Sequence, residues 1–175
     1  MMKLVTVLLT TALICCMASA SPLAPADAKV LEERATKIGA AFDAGDVGTI
    51  AEMTHPSLFA LMGGKEKMVA ILKTAMSEFE AMGVQVLESE LGDPPEVYTA
   101  GSELVCFYPR RTVMLIGEKK VKSIGFLICI RKAQGGEWLF LDGSGLRKNP
   151  KLLKTLLPAL PADVQLPENR AELIQ

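Results

Sequence analysis

The sequence predicts an α+β fold: a curved antiparallel sheet wrapped around about three N-terminal helices, then a short helix and an extended tail. Three observations lead there. Apolar residues recur at helical spacing up to about residue 82, alternate or run continuously from Val84 onward, and the turns between those later runs are too short for helical crossovers. Strands joined so tightly should pair antiparallel with their sequence neighbours.

Residues 26–43 place Leu31, Ala35, Ile38 and Phe42 on one stripe, with Pro25 and Asp27 suited to a helix start and Gly45 to its end. Asp46 can cap a second, short helix through Ile50 and Met53, which ends at His55-Pro56 because proline disfavours helical geometry in the residue before it. Residues 57–62 read as a short strand closed by Gly63 and Gly64. A third helix from Lys65 carries Met68, Leu72, Ala75, Phe79 and Met82 on one face and stops at Gly83. Burying each large side chain of these stripes is worth about 1.5–3 kcal/mol, so they should decide how the helices pack.

Strands follow at 84–91, 96–99, 103–116, 119–132 and 137–142, separated by glycine- and proline-bearing turns. In the third, Leu104, Cys106 and Tyr108 alternate with Val105 and Phe107, so both faces are apolar; Phe126, Ile128 and Ile130 against Leu127 and Cys129 repeat this in the fourth. A sheet wetted on one face does not read so. Either the tail or a second subunit must cover the outer face, and a homodimer through that face is expected. Beyond Gly143-Ser144-Gly145, Leu152, Leu153, Leu156 and Leu157 predict a helix within 149–157, after which Pro158, Pro161 and Pro167 enforce an extended path.

Lys3, the apolar run 4–17 and the small residues Ala18 and Ala20 have the three-part form of a cleavable secretory signal, with cleavage expected after Ala20. The run is shorter than the roughly 20 residues of a membrane span, so no membrane association is expected once it is removed. The expected organisation is a signal over 1–20, an α+β domain over 21–145, and a short helix and proline-containing tail over 146–175 packed on it. The mature chain is then secreted or periplasmic. Of 175 residues, 50% are hydrophobic and 22% charged, with a formal net charge of -1. That balance gives no electrostatic footprint for nucleic acid. The mature part keeps two of four cysteines, Cys106 and Cys129, both inside apolar runs and read as free buried thiols.

Helix, short helix ending in His-Pro, a brief apolar run, Gly-Gly-Lys entering a long helix, then a bent sheet ending in Glu-Trp-Leu-Phe-Leu-Asp: in this order the chain resembles the nuclear transport factor 2-like superfamily. That superfamily includes ketosteroid isomerases and the polyketide cyclases related to them. The resemblance covers about residues 26–145 and rests on element order together with 46–65 and 137–142. It implies a cone-shaped fold with helices inside a curved sheet, a pocket at one end and, often, a dimer through the outer sheet face. Isomerase-like members hold a tyrosine on the first helix, a carboxylate base near the second and a protonated acid on a strand. Here the first helix offers Phe42 and no tyrosine, and the carboxylates nearest the second helix are Asp46 and Glu52.

Cofactor-free isomerase, cyclase or hydratase chemistry by general acid/base catalysis would draw on Asp46, His55, Tyr108 and Asp142. Each has a structural alternative: Asp46 as a helix cap, His55 holding the turn before Pro56, Tyr108 as strand packing, Asp142 as an Asx cap on the following turn. Ligand binding would draw on Phe42, Tyr98, Arg110 and Arg111, the two arginines serving as a carboxylate-binding pair or simply standing exposed after Pro109. His55 is the only histidine and cannot build a metal site alone, so neither metal nor cofactor is expected. Gly63-Gly64-Lys65 lacks the glycine spacing and the following Ser/Thr of a phosphate loop, and Ser144 lacks the Gly-x-Ser-x-Gly frame because position 142 is Asp. The expectation is an exported domain that binds a small apolar or amphipathic molecule or serves as an interaction module, with the acid/base enzyme as the alternative.

Overall fold

Pro25 opens the first helix, where its missing N–H is not needed and its fixed φ already suits the turn. In the computed structural model, which describes residues 20–174 apart from 94, 148 and 150, this helix, α1, spans Pro25–Asp43 and buries Leu31, Ala35 and Ile38. The expected export signal, except for Ala20, lies outside the described residues. Asp46 caps α2 (Val47–Met53) by accepting from the Thr49 amide at 3.1 Å.

Residues 57–62, expected as a strand, form a helix instead, α3 (Pro56–Met62). The reason is local. Pro56 occupies the first turn, the His55 ring accepts from the Ser57 amide, and Gly63, at φ 78°, ends the helix in the left-handed conformation that glycine tolerates. So short an apolar run has no readable period; its caps decide. Among the described residues four helices therefore precede the long strands, the fourth being α4 (Lys65–Ala81). Its apolar stripe is only partly used: Met68 is buried and Leu72 and Met76 touch the core, while Phe79 and Met82, expected to pack, are 47% and 52% exposed.

The described residues give an α+β fold with five helices and an open, curved, seven-stranded antiparallel sheet. Its spine is a long hairpin, β4 (Glu103–Ile116) with β5 (Lys119–Lys132), paired along its whole length. Contrary to the expected pairing of sequence neighbours, β2 (Val84–Leu91) does not pair with β3 (Glu96–Ala100); both lie end to end on the free edge of β4. The break between them is Gly92, whose amide bonds to the Pro109 carbonyl at 2.9 Å and whose added Cβ would stand 3.0 Å from the Pro109 side chain. On the free edge of β5 the same division recurs, with β6 (Leu139–Asp142) and β7 (Arg170–Ile174) end to end. A two-residue strand, β1 (Ser21–Pro22), adds to β3. Neither β1 nor β7 is legible beforehand: β1 is too short, and β7 lies in the tail expected to run extended and unpaired.

Both faces of the hairpin are covered. Cys106, Tyr108, Leu127 and Cys129 pack against α1 and α2. On the other face Val105, Phe107, Phe126, Ile128 and Ile130 meet Leu146, Leu156, Leu157 and Leu160 of the tail, whose helix α5 spans Leu152–Leu156. The chain's own tail thus supplies one of the two coverings that the sequence leaves open for the outer face. Gly143, in the single 3-10 turn after β6, passes so close to Phe126 that an added Cβ would stand 2.6 Å from its carbonyl oxygen.

One clamp joins α1 to the sheet. Arg131 bonds Asp27 through both carboxylate oxygens, at 2.9 and 2.7 Å, and lies over the Trp138 ring at 4.8 Å, while Arg34 Nε donates to the Trp138 carbonyl at 3.0 Å. The fork geometry and the ring offset the unpartnered, buried Arg131 Nε and Trp138 Nε1. If the tail is a true second core layer, Leu157→Ala should destabilise the protein by about 2–5 kcal/mol in urea unfolding, as for other buried leucines. Leu173→Ala, at a side chain 70% exposed, should stay within about 0.5 kcal/mol. Equal effects would mean that the tail is not core.

Candidate functional site

β4 outruns the helices that cover it. Cys106 and Tyr108 are sealed under α1, but the next helix-facing positions, Arg110, Thr112, Met114 and Ile116, line an open cavity of about 1240 Å³. Opposite them stand Met76 and Phe79 of α4 and Met82 just past its end, and β2 contributes Val84 and Val86. At the inner end lie Phe42, Asp43, Ser123 and Gly125, with Asp142 and Ser144 nearby. Ser123 pairs with Thr112 and Gly125 with Arg110 across the hairpin. The guanidinium lies over Gly39 of α1, where an added Cβ would stand 3.8 Å from Arg110 Nη2.

Arg110 is held rather than free. Its Nη2 donates to Asp43 Oδ1 at 2.9 Å and to Ser89 Oγ at 2.9 Å, and its Nε to the same hydroxyl at 3.1 Å, with only 16% of the side chain exposed. Arg111, one residue on, points to the other face and makes exposed ion pairs with Glu88 and Glu90 at 3.0 and 3.5 Å. Alternation along a strand separates consecutive side chains. The two arginines therefore do not form a carboxylate-binding pair.

Of the eight residues singled out from the sequence, the cavity brings together Phe42, Arg110 and Asp142. The rest stand elsewhere. Asp46 is the α2 cap, its carboxyl held below the usual range first by the Thr49 hydroxyl, at 2.7 Å, and then by the Thr49 amide. Tyr108 is buried in the inner core, where desolvation and then the nearby Glu32 push its phenol up. Tyr98 packs against Phe107 on the outer face, ring centroids 6.0 Å apart. Asp142 does reach the cavity wall, but its oxygens accept from the Ser144 amide at 3.1 Å and from the Ser144 hydroxyl, as in an Asx turn.

His55 is the most connected candidate. Its Nδ1 accepts from the Ser57 amide at 3.3 Å and lies 2.9 Å from Ser57 Oγ, and its Nε2 faces Glu103 Oε1 at 3.2 Å. Serine, histidine and glutamate are the residue types of an acyl-transfer triad. Here the ring nitrogen facing the serine is already taken by the first amide of α3, and none of the three lines the cavity. The set works as a cap and a tie between α3 and β4.

Cys106 and Cys129 face each other in register as free, fully buried thiols; burial and then contact with Cys106 push the Cys129 thiol well above its usual value. Among the described residues, no three His, Cys, Asp or Glu side chains cluster as a metal site would need. No helix among them is long and apolar enough to cross a membrane.

Asp43, Thr112, Met114 and Ser123 are cavity residues that the sequence reading passes over. A signal existed for the strand residues: in Arg110-x-Thr112-x-Met114-x-Ile116 the set that faces the helices turns from polar to apolar along the strand. Asp43 gave none, because its role arises from a partner 67 residues away. No known protein family, characterised protein or solved structure matches the chain.

Two outcomes check this account. Since the folded-state pKa of Asp46 is depressed, its cap contributes stability above the unfolded value near 3.8 and loses it as pH falls through the folded value. Thr49→Val should raise the Asp46 midpoint in a carboxyl NMR titration and start acid unfolding at higher pH; an unmoved midpoint would show that Thr49 is not the cause. Both thiols should resist alkylation in the native protein and react fully once it is denatured. Rapid native labelling would contradict their burial.

Proposed function

We propose that this chain is an exported binding domain, with the cone arrangement of the nuclear transport factor 2-like superfamily, whose open cavity takes a small amphipathic molecule. One observation carries the reading: large apolar side chains that could have packed on the core, Phe79 and Met82 above all, stand uncovered around one concave space. Exposed apolar surface costs about 25 cal/mol for each Å² left in water, so a continuous lining of it favours an occupant. At about 1240 Å³ the cavity exceeds the roughly 300–1,000 Å³ of common ligand pockets, which suits a long or bulky guest. Three methionines in the wall, Met76, Met82 and Met114, give a surface that can adapt to a flexible apolar chain.

The acid/base alternative lacks a comparable support. Asp46, His55 and Tyr108 lie in a cap, a turn and the core, and Asp142 is engaged by Ser144. Export is part of the proposal and rests on the N-terminal sequence.

Native mass spectrometry of the protein purified from its source should find retained small-molecule mass, released on denaturation. Met114→Asp, which puts a charge on the apolar wall at a partly exposed position, should lower that occupancy by about tenfold or more while leaving the unfolding transition nearly unchanged. Protein that never carries or takes up a small molecule would leave the cavity without this role.

A further inference from the structure

The cavity lining is sorted along β4. From Arg110 to Ile116 the helix-facing positions run about 20 Å at the usual strand rise of about 3.3 Å per residue. At the Arg110 end the neighbours are Asp43, Ser123 and Gly125, polar or small; toward Ile116 they are Val84, Val86 and Met82. A guest that matches this wall carries its polar head inside, at Arg110, and a long apolar chain directed toward the hairpin tip.

Charge then narrows the head. The Arg110 guanidinium is already matched by Asp43 at 2.9 Å, and its Nε and Nη2 are used; Nη1 makes no hydrogen bond to the described residues. It still offers two donors. The charged residues of the lining are Asp43, Glu80 and Asp142 against Lys73 and Arg110, an excess of carboxylate. A fatty-acid carboxylate would bring another anion to a cation that is already paired. A cationic head would meet Arg110 itself. An uncharged carbonyl or hydroxyl oxygen accepts from Nη1 and carries no charge out of water.

We infer that the cavity selects an uncharged long-chain amphiphile, such as an acylglycerol or a long-chain alcohol, with its head oxygen on Arg110 Nη1 and with Asp43 setting the preference against carboxylates. The inference rests on the binding reading above and adds the class of the guest and the residue that discriminates.

The test is calorimetric titration of the full protein with three probes of equal chain length below their micelle concentrations: a monoacylglycerol, the corresponding fatty acid at neutral pH and an alkyltrimethylammonium. The monoacylglycerol should bind at least about tenfold more tightly than either charged probe. Asp43→Asn, which leaves the Arg110 charge unmatched, should shift selectivity about tenfold toward the fatty acid relative to the monoacylglycerol. Fatty acid binding as tightly as monoacylglycerol to the unaltered protein, or a folded Asp43→Asn variant with unchanged selectivity, overturns the inference and leaves the binding reading standing. If Asp43→Asn does not fold, the ranking of the three probes on the unaltered protein decides alone. Failure of all three to bind, together with purified protein that carries no small molecule, removes both.

Discussion

Burial of the β4–β5 hairpin on both faces is the constraint from which the rest of this structure follows. Val105, Cys106, Ile128, Cys129 and Ile130 are essentially inaccessible, and they alternate between a layer of helices and a layer of tail. Two adjacent strands this apolar cannot leave either face in water. The helices α1 and α2 therefore dock on one side, and the leucines of residues 146–160 must return to the other. The Arg131, Trp138 and Asp27 clamp then fixes how α1 lies across the sheet.

The cavity is what remains where that double covering ends. Each strand of the hairpin has 14 residues, but α1 reaches its end at Asp43, beside Arg110, and the chain then turns away into α2. Beyond that point, among the described residues, α4 faces β2 and β4, and Phe79 with Met82 just past the helix end stand across a gap rather than in contact. Arg110 sits at the boundary. Asp43 and Ser89 hold its guanidinium in place, so the sealed core ends in a positioned polar group instead of a loose charge.

Most residues that drew attention by type turn out to hold the scaffold. Asp46, His55 and Asp142 each satisfy backbone amides at a helix start or a turn. Such positions favour the same residue types that catalysis favours, because both need a hydrogen-bonding group at a defined place. Only the surroundings distinguish them. The cavity instead rests on residues that look ordinary in sequence, among them Thr112, Met114 and Ser123.

The sequence by itself determined the class of the fold, the stripe of α1, the bounds of β2, β4 and β5 and the need to cover both sheet faces, because those depend on local period and on short turns. The caps that make α3 a helix were also written there, in His55, Pro56 and Gly63, although the run between them reads equally as a strand. Tertiary structure alone decided that β2 and β3 share one edge of β4, that the tail rather than open water meets Phe107, and that Asp43 finds Arg110. These are pairings across long stretches of chain, and their energies come from which surfaces meet, a quantity that no local pattern carries.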